Sequence, residues 1–269
     1  MRGLIALLLV GCSEYTITGQ EDRNPGQDTA TPIIDDEPVV EDSGEPDVEA
    51  EPVAEAPIYI NEGGRLWSWD PEADALESVG NFRDEFGAID NISDIAINGE
   101  GHLFGCTFDA LYQIDPETAA ATYIGPLEIG PAGLTFVSDD LLIAAGAGVH
   151  VIDVATGQTV RTLVEPGGFE TAGDIIGLPD GMLYWTVWGG YGDPDWLVVI
   201  DPISGELTVR GDTGTDRVFG LGYAQDALYG FTDGGEWVEI DTVFGGLDDR
   251  RRFGDAPRWW GATTNPVRW

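Results

Sequence analysis

Leu197-Val198-Val199-Ile200-Asp201, followed by Pro202-Ile203-Ser204-Gly205, is one of five copies of the same short box. The others read Leu66-Trp67-Ser68-Trp69-Asp70, Leu111-Tyr112-Gln113-Ile114-Asp115, Val149-His150-Val151-Ile152-Asp153 and Trp237-Val238-Glu239-Ile240-Asp241. Each is a run dominated by apolar residues that closes on aspartate. The aspartates lie 45, 38, 48 and 40 residues apart. Self-similarity at a period near forty, built from short strand-like runs, marks a repeat of one supersecondary unit. Four short strands per unit make the blade of a β-propeller.

Working outward from the boxes, each unit reads as four strands. The innermost are expected at 92–97, 132–137, 173–178, 218–223 and 259–263, and the second at 58–61, 103–107, 141–145, 182–187 and 228–231. The boxes form the third strands, and the outer strands fall near 76–80, 121–125, 159–164, 206–210 and 250–253. Asp70-Pro71, Asp115-Pro116 and Asp201-Pro202 place Asp and Pro at the first two positions of a type I turn. Gly157 and Gly205 then supply permissive backbone before the outer strand. The box aspartates are therefore read as turn residues. No innermost strand precedes Ile58, whereas Trp259-Trp260-Gly261-Ala262-Thr263 has no unit of its own. The expected architecture is all-β: a propeller of five four-stranded blades, the C-terminal strand closing the first. Closure removes sheet edges that would otherwise invite aggregation.

The box with its turn and the inner strand Gly133-Leu134-Thr135-Phe136 resemble short-repeat propellers of the NHL, YVTN and quinoprotein-like superfamily, over about residues 57–269. The resemblance implies architecture and leaves activity open.

Charge limits the partners. Twelve Lys+Arg, all of them arginine, stand against 49 Asp+Glu, for a net charge of −37. Such a field repels phosphate backbones and anionic lipid surfaces, which argues against nucleic acid and against electrostatic membrane binding. The chemical inventory is also thin. Two histidines, His102 and His150, and two cysteines, Cys12 and Cys106, exclude a multi-histidine zinc site. No Walker loop, nucleophile elbow, metalloprotease helix or EF-hand loop is present.

The chain opens with one arginine, then Leu4 to Val10 is continuously apolar and Gly11-Cys12 follows. A positive residue, a short apolar run and a small residue before the junction make an export signal, too short to span a bilayer. Leu9-Val10-Gly11-Cys12 resembles the lipobox of bacterial lipoproteins. That resemblance implies a signal peptide at 1–11, lipidation of Cys12, and attachment to the cell envelope. Ser13 in place of aspartate points toward the outer membrane. Lipid on Cys12 leaves Cys106 without a disulfide partner. Residues 12–56 form an expected acidic tether: positions 13–56 hold fourteen carboxylates and one arginine, with no apolar period, a composition that stays disordered. Its coil span is about 40 Å and its contour limit about 150 Å.

Long connections fall at one end of the expected ring and carry Asp84, Asp90, Glu170 and Arg217. Trp188, Tyr191 and Trp196 bracket Asp193-Pro194-Asp195, and aromatics beside carboxylates suit a sugar ring; packing between blades would use the same residues. Asp193, Asp195, Asp212 and Asp216 belong to one blade, and their oxygens would suit calcium if they converged. No catalytic constellation stands out. The expected function is a monomeric, membrane-tethered, non-catalytic scaffold binding a protein or glycan. The alternative is a calcium-assisted hydrolase or lactonase, to which the inner strands could offer Asp94 and Asp174.

Overall fold

The computed structural model describes residues 56–138, 141–254 and 257–264. The signal at 1–11, Cys12 and the tether through residue 55 lie outside the described residues. Those described contain strands and turns and no helix.

Blade 1 holds β1 (Ile58–Asn61), β2 (Arg65–Asp70) and β3 (Ala75–Asn81). A small hairpin, β4 (Arg83–Asp84) and β5 (Gly87–Ala88), precedes blade 2: β6 (Asp94–Ile97), β7 (Leu103–Cys106), β8 (Ala110–Ile114) and β9 (Ala121–Pro126). Blade 3 is β10 (Gly133–Ser138), β11 (Leu141–Gly146), β12 (Gly148–Ile152) and β13 (Thr159–Val164). Blade 4 is β14 (Thr171–Gly177), β15 (Leu183–Val187), β16 (Trp196–Ile200) and β17 (Leu207–Asp212). Blade 5 is β18 (Val218–Ala224), β19 (Ala227–Thr232), β20 (Glu236–Ile240) and β21 (Leu247–Arg252). The last strand, β22 (Gly261–Thr263), pairs antiparallel with β1, so the first sheet runs β22-β1-β2-β3. The protein is a five-bladed propeller closed by its C-terminal strand, as the boxes predict.

The nearly continuous apolar character of the boxes follows from their position. A third strand is covered on both faces, so its alternate side chains feed two different cores. In β16, Val198 and Ile200 face the core between blades 3 and 4, while Leu197 and Val199 face that between blades 4 and 5. Five such cores fill the five seams. The closing seam is the aromatic one. Trp69 meets Tyr229, Phe231 and Phe253 edge-on at 5.1, 5.7 and 5.6 Å, and Phe253 meets Trp259 edge-on at 5.6 Å. Such pairs add about 0.5–1.5 kcal/mol each beyond area burial.

The box aspartates behave as turn residues in all five blades. Asp70, Asp115, Asp153, Asp201 and Asp241 each accept, through Oδ1, the amide two residues on, at 2.6–2.9 Å. Those backbone bonds hold Asp115 and Asp201 below the usual carboxylate range. Only Asp70 falls inside its strand; the other four follow theirs. At Gly205 the chain turns left-handed, with φ of 74°, and a Cβ would lie 2.4 Å from the Leu163 carbonyl of the preceding blade. Turn and blade contact both demand glycine there. The expected inner strand 259–263 is shorter than predicted, because the Trp259 side chain drops into the closing seam while the Trp260 amide still donates to Asn61 O at 2.9 Å.

Deleting residues 257–269 removes β22 and Trp259 and leaves β1 with an open inner edge. The truncated chain should lose its monomeric state, read by light scattering, and melt well below the full chain; a monomer with unchanged melting would contradict the closure.

Candidate functional site

The innermost strands define the axis, and they are close. Cα atoms of β14 and β22, from blades that are not neighbours, come within 8 Å of each other. Gly133, Gly173, Gly220 and Gly261 lie where the next inner strand crosses, each with a neighbouring atom within 2.8 Å of where a Cβ would sit. Around this crowded axis, side chains of one blade accept the inner-edge amides of another. Thr263 Oγ1 accepts Ile97 N at 3.2 Å, Asp94 Oδ2 accepts Leu134 N, and Thr135 Oγ1 accepts Gly177 N at 3.1 Å. Asp174 Oδ2 accepts Leu221 N, and across the closing seam Thr264 Oγ1 accepts Tyr223 N at 3.0 Å. Every seam carries one such clamp.

Two of the clamps are carboxyl groups buried together. Burial lifts Asp94 well above the usual carboxylate range, and the neighbouring Asp174, to which it is hydrogen-bonded, lifts it further. Burial pushes Asp174 up to about 8, against the hydrogen bonds from Asp94 and from the Leu221 and Ile175 amides, which favour its charged form. Oδ1 of Asp94 is buried and accepts no hydrogen bond. Nearby, burial pushes the Cys106 thiol up to about 12, with Ser93 Oγ 3.4 Å from its sulfur. That thiol is no nucleophile at neutral pH.

At the long-loop end, lined by Ser93 and Gly173, the residues just before the two carboxylates in the chain, lies a cup of about 360 Å³ to which every blade contributes. Blade 2 supplies Ser93 and Phe108, blade 3 Ala132, blade 4 Ala172 and Gly173, and blade 5 Phe219 and Asp233. The segment entering β22 adds Arg258 and Trp260. Phe108, Phe219 and Trp260 give the cup aromatic faces, and Arg258 sits at the rim, 3.6 Å from Asp233. The volume lies within the range of small-molecule sites.

The residues singled out from the sequence fall into separate places. Trp188 and Tyr191 pack edge-on at 5.2 Å, both exposed, and Trp196 flanks the same loop beside Gly189. This cluster belongs to the β15–β16 loop, and none of its members lines the cup. Glu170 is tied to it through its carbonyl, which accepts Trp188 N at 2.9 Å. Arg217 joins Asp233 at 2.9 Å, beside the cup. Asp84 closes the β4–β5 turn by accepting the Phe86 and Gly87 amides, and Asp90 is exposed next to Gly64. Asp195 is buried and accepts Val218 N at 2.8 Å, burial raising it to about 6. Asp212 accepts Gly214 N at 3.0 Å, Asp216 faces Arg217 at 3.8 Å, and Asp193 lies beside Gly190. Among the described residues no three His, Cys, Asp or Glu side chains are placed to hold a metal ion. His150 is satisfied by Thr162 and by the Ala147 carbonyl, and His102 is exposed beside Glu100.

The cup residues share no motif along the chain: Ser93, Ala132, Ala172, Phe219 and Trp260 stand at the mouth of the ring, and Phe108, Asp233 and Arg258 lie in separate turns and connections. Aligning the five units on their boxes brings Ser93, Ala132, Ala172, Phe219 and Trp260 to the start of each innermost strand. That position is the signal for the axial mouth.

No family model and no curated protein sequence matches this chain. Solved structures do match. A chain in the crystal structure of a nidogen/laminin complex superimposes with a TM-score of 0.52 at 12% identity, over 80% of this chain and 100% of that one. A protein of unknown function from Bacteroides caccae gives 0.47 at 11% identity, covering 77% of each chain. The first likeness supports the fold alone.

An unfolded aspartate titrates near pH 3.9. Between that pH and about 8, the folded pair retains protons that the unfolded chain releases. Its contribution to stability is thus full below about pH 4 and is lost as pH rises through about 8, by about 1.4 kcal/mol per pH unit per proton. Asp94→Asn keeps an oxygen for Leu134 and a donor for Asp174. Urea unfolding should show a shallower loss of stability between pH 5 and 8 in this variant; an unchanged slope would contradict proton retention by the buried pair.

Proposed function

We propose that the protein is a lipid-anchored binding propeller of the bacterial cell envelope that takes its ligand in the axial cup. The observation that carries this reading is convergence: all five blades place residues at one aromatic-lined mouth. A rigid ring presents those side chains with little entropy left to lose on binding. Cys12 supplies the anchor and the acidic tether holds the cup away from the membrane. Asp94 and Asp174 serve the ring as clamps, since three of their four oxygens already accept backbone amides.

A thermal-shift panel of glycans, peptides and small metabolites on the full chain tests the cup. A ligand at a hundredfold excess over Kd stabilises by about 2.7 kcal/mol. The shift should vanish in Trp260→Ala and survive in Trp188→Ala. The opposite pattern would move the site to the exposed aromatics of the β15–β16 loop.

A further inference from the structure

The cup continues sideways. A second hollow of about 310 Å³, lined by Thr215, Arg217, Gly234 and Glu236 among others, shares Asp233 and Arg258 with it. Asp233 sits at the junction, its side chain only 11% exposed. Arg217 already satisfies it at 2.9 Å, and the Asp233 amide donates to Arg217 O at 3.1 Å. Arg217 holds this place with φ of 58°, a left-handed conformation that a side chain enters at a cost. Its Nε lies 3.8 Å from Asp216, so Arg217, although 62% exposed, already has two carboxylate neighbours.

Arg258 is different. It reaches Asp233 through Nη1 at 3.6 Å and is 76% exposed, which leaves most of its fork of donors open beside the cup that Phe219 and Trp260 also line. Because Asp233 is already held by Arg217, Arg258 is a surplus guanidinium over an aromatic cup. A guanidinium binds a carboxylate through two parallel hydrogen bonds, and the ring faces below it suit a flat apolar body. The net charge of −37 opposes polyanions, but at physiological salt exposed charges are screened beyond about 8 Å, so one negative charge at Arg258 is decided locally.

Resting on the cup as the binding site, we propose that its ligand is a small planar monocarboxylate, the ring system between Phe108, Phe219 and Trp260 and the carboxylate on Arg258. Three probes with one ring and different charge test this on the full chain by calorimetry: 2-naphthoate, 2-naphthamide and 2-naphthylmethylammonium. Naphthoate should bind at least tenfold tighter than the amide, and the cation weakest, as expected for a hydrogen bond to a charged group. Arg258→Gln should reduce naphthoate affinity about tenfold and leave the amide within twofold; Arg258→Lys, keeping charge without the fork, should fall between. Naphthoate binding no tighter than the amide, or unaffected by Arg258→Gln, overturns the carboxylate assignment while amide binding sensitive to Trp260→Ala leaves the cup standing. Failure of all three probes to bind at millimolar concentration overturns the carboxylate assignment and counts against the cup as well.

Discussion

The inner edge of each blade is the constraint on which the ring depends. A strand at a sheet edge presents unpaired N–H groups, and leaving one buried without a partner costs about 1–3 kcal/mol. Here the inner strands crowd the axis too closely for those amides to face bulk water. Ile97, Leu134, Gly177 and Leu221 are satisfied by Thr263, Asp94, Thr135 and Asp174 of the preceding blade. At the closing seam the direction reverses, and Tyr223 donates to Thr264. The described C-terminal segment thus completes the first sheet through β22 and the hydrogen-bond ring through Thr264.

This arrangement gives aspartate two opposite fates in one fold. Asp201, at the surface in its turn and bound by the Ile203 and Ser204 amides, is held low and stays charged. Asp174 also accepts two amides, yet burial beside Asp94 outweighs them and raises it to about 8. The difference is desolvation: removing a charge from water costs more than two backbone dipoles return. The same closeness that demands clamps crowds the axis where Gly133, Gly173, Gly220 and Gly261 meet their neighbours, next to the residues that line the cup.

Architecture was legible because it rests on periodic, local signals. The boxes at Leu66, Leu111, Val149, Leu197 and Trp237 gave each third strand to within a residue, and the orphan Trp259–Thr263 segment announced the closure. The candidate site was harder. Arg217 was reached because it lies in a long loop, but Phe108, Phe219, Trp260 and Arg258 converge only once five units are wrapped around one axis. No spacing along the chain encodes that distance. Asp94 and Asp174 were visible as inner-strand carboxylates, while their raised titration depends on burial and a proximity that the seventy-nine residues between them do not reveal. Asp195 shows the converse: four aspartates in one blade suggest a cation site, and the fold turns Asp195 inward to the Val218 amide.

Native-state hydrogen exchange measures the central claim most directly. If the clamps hold the ring, the amides of Ile97, Leu134, Gly177, Leu221 and Tyr223 exchange only through global unfolding, with opening free energies equal to the stability measured in urea. Exchange at these five amides faster than at those of the outer strands β13 and β17 would contradict the account, because the inner edges would then open while the blades stay folded.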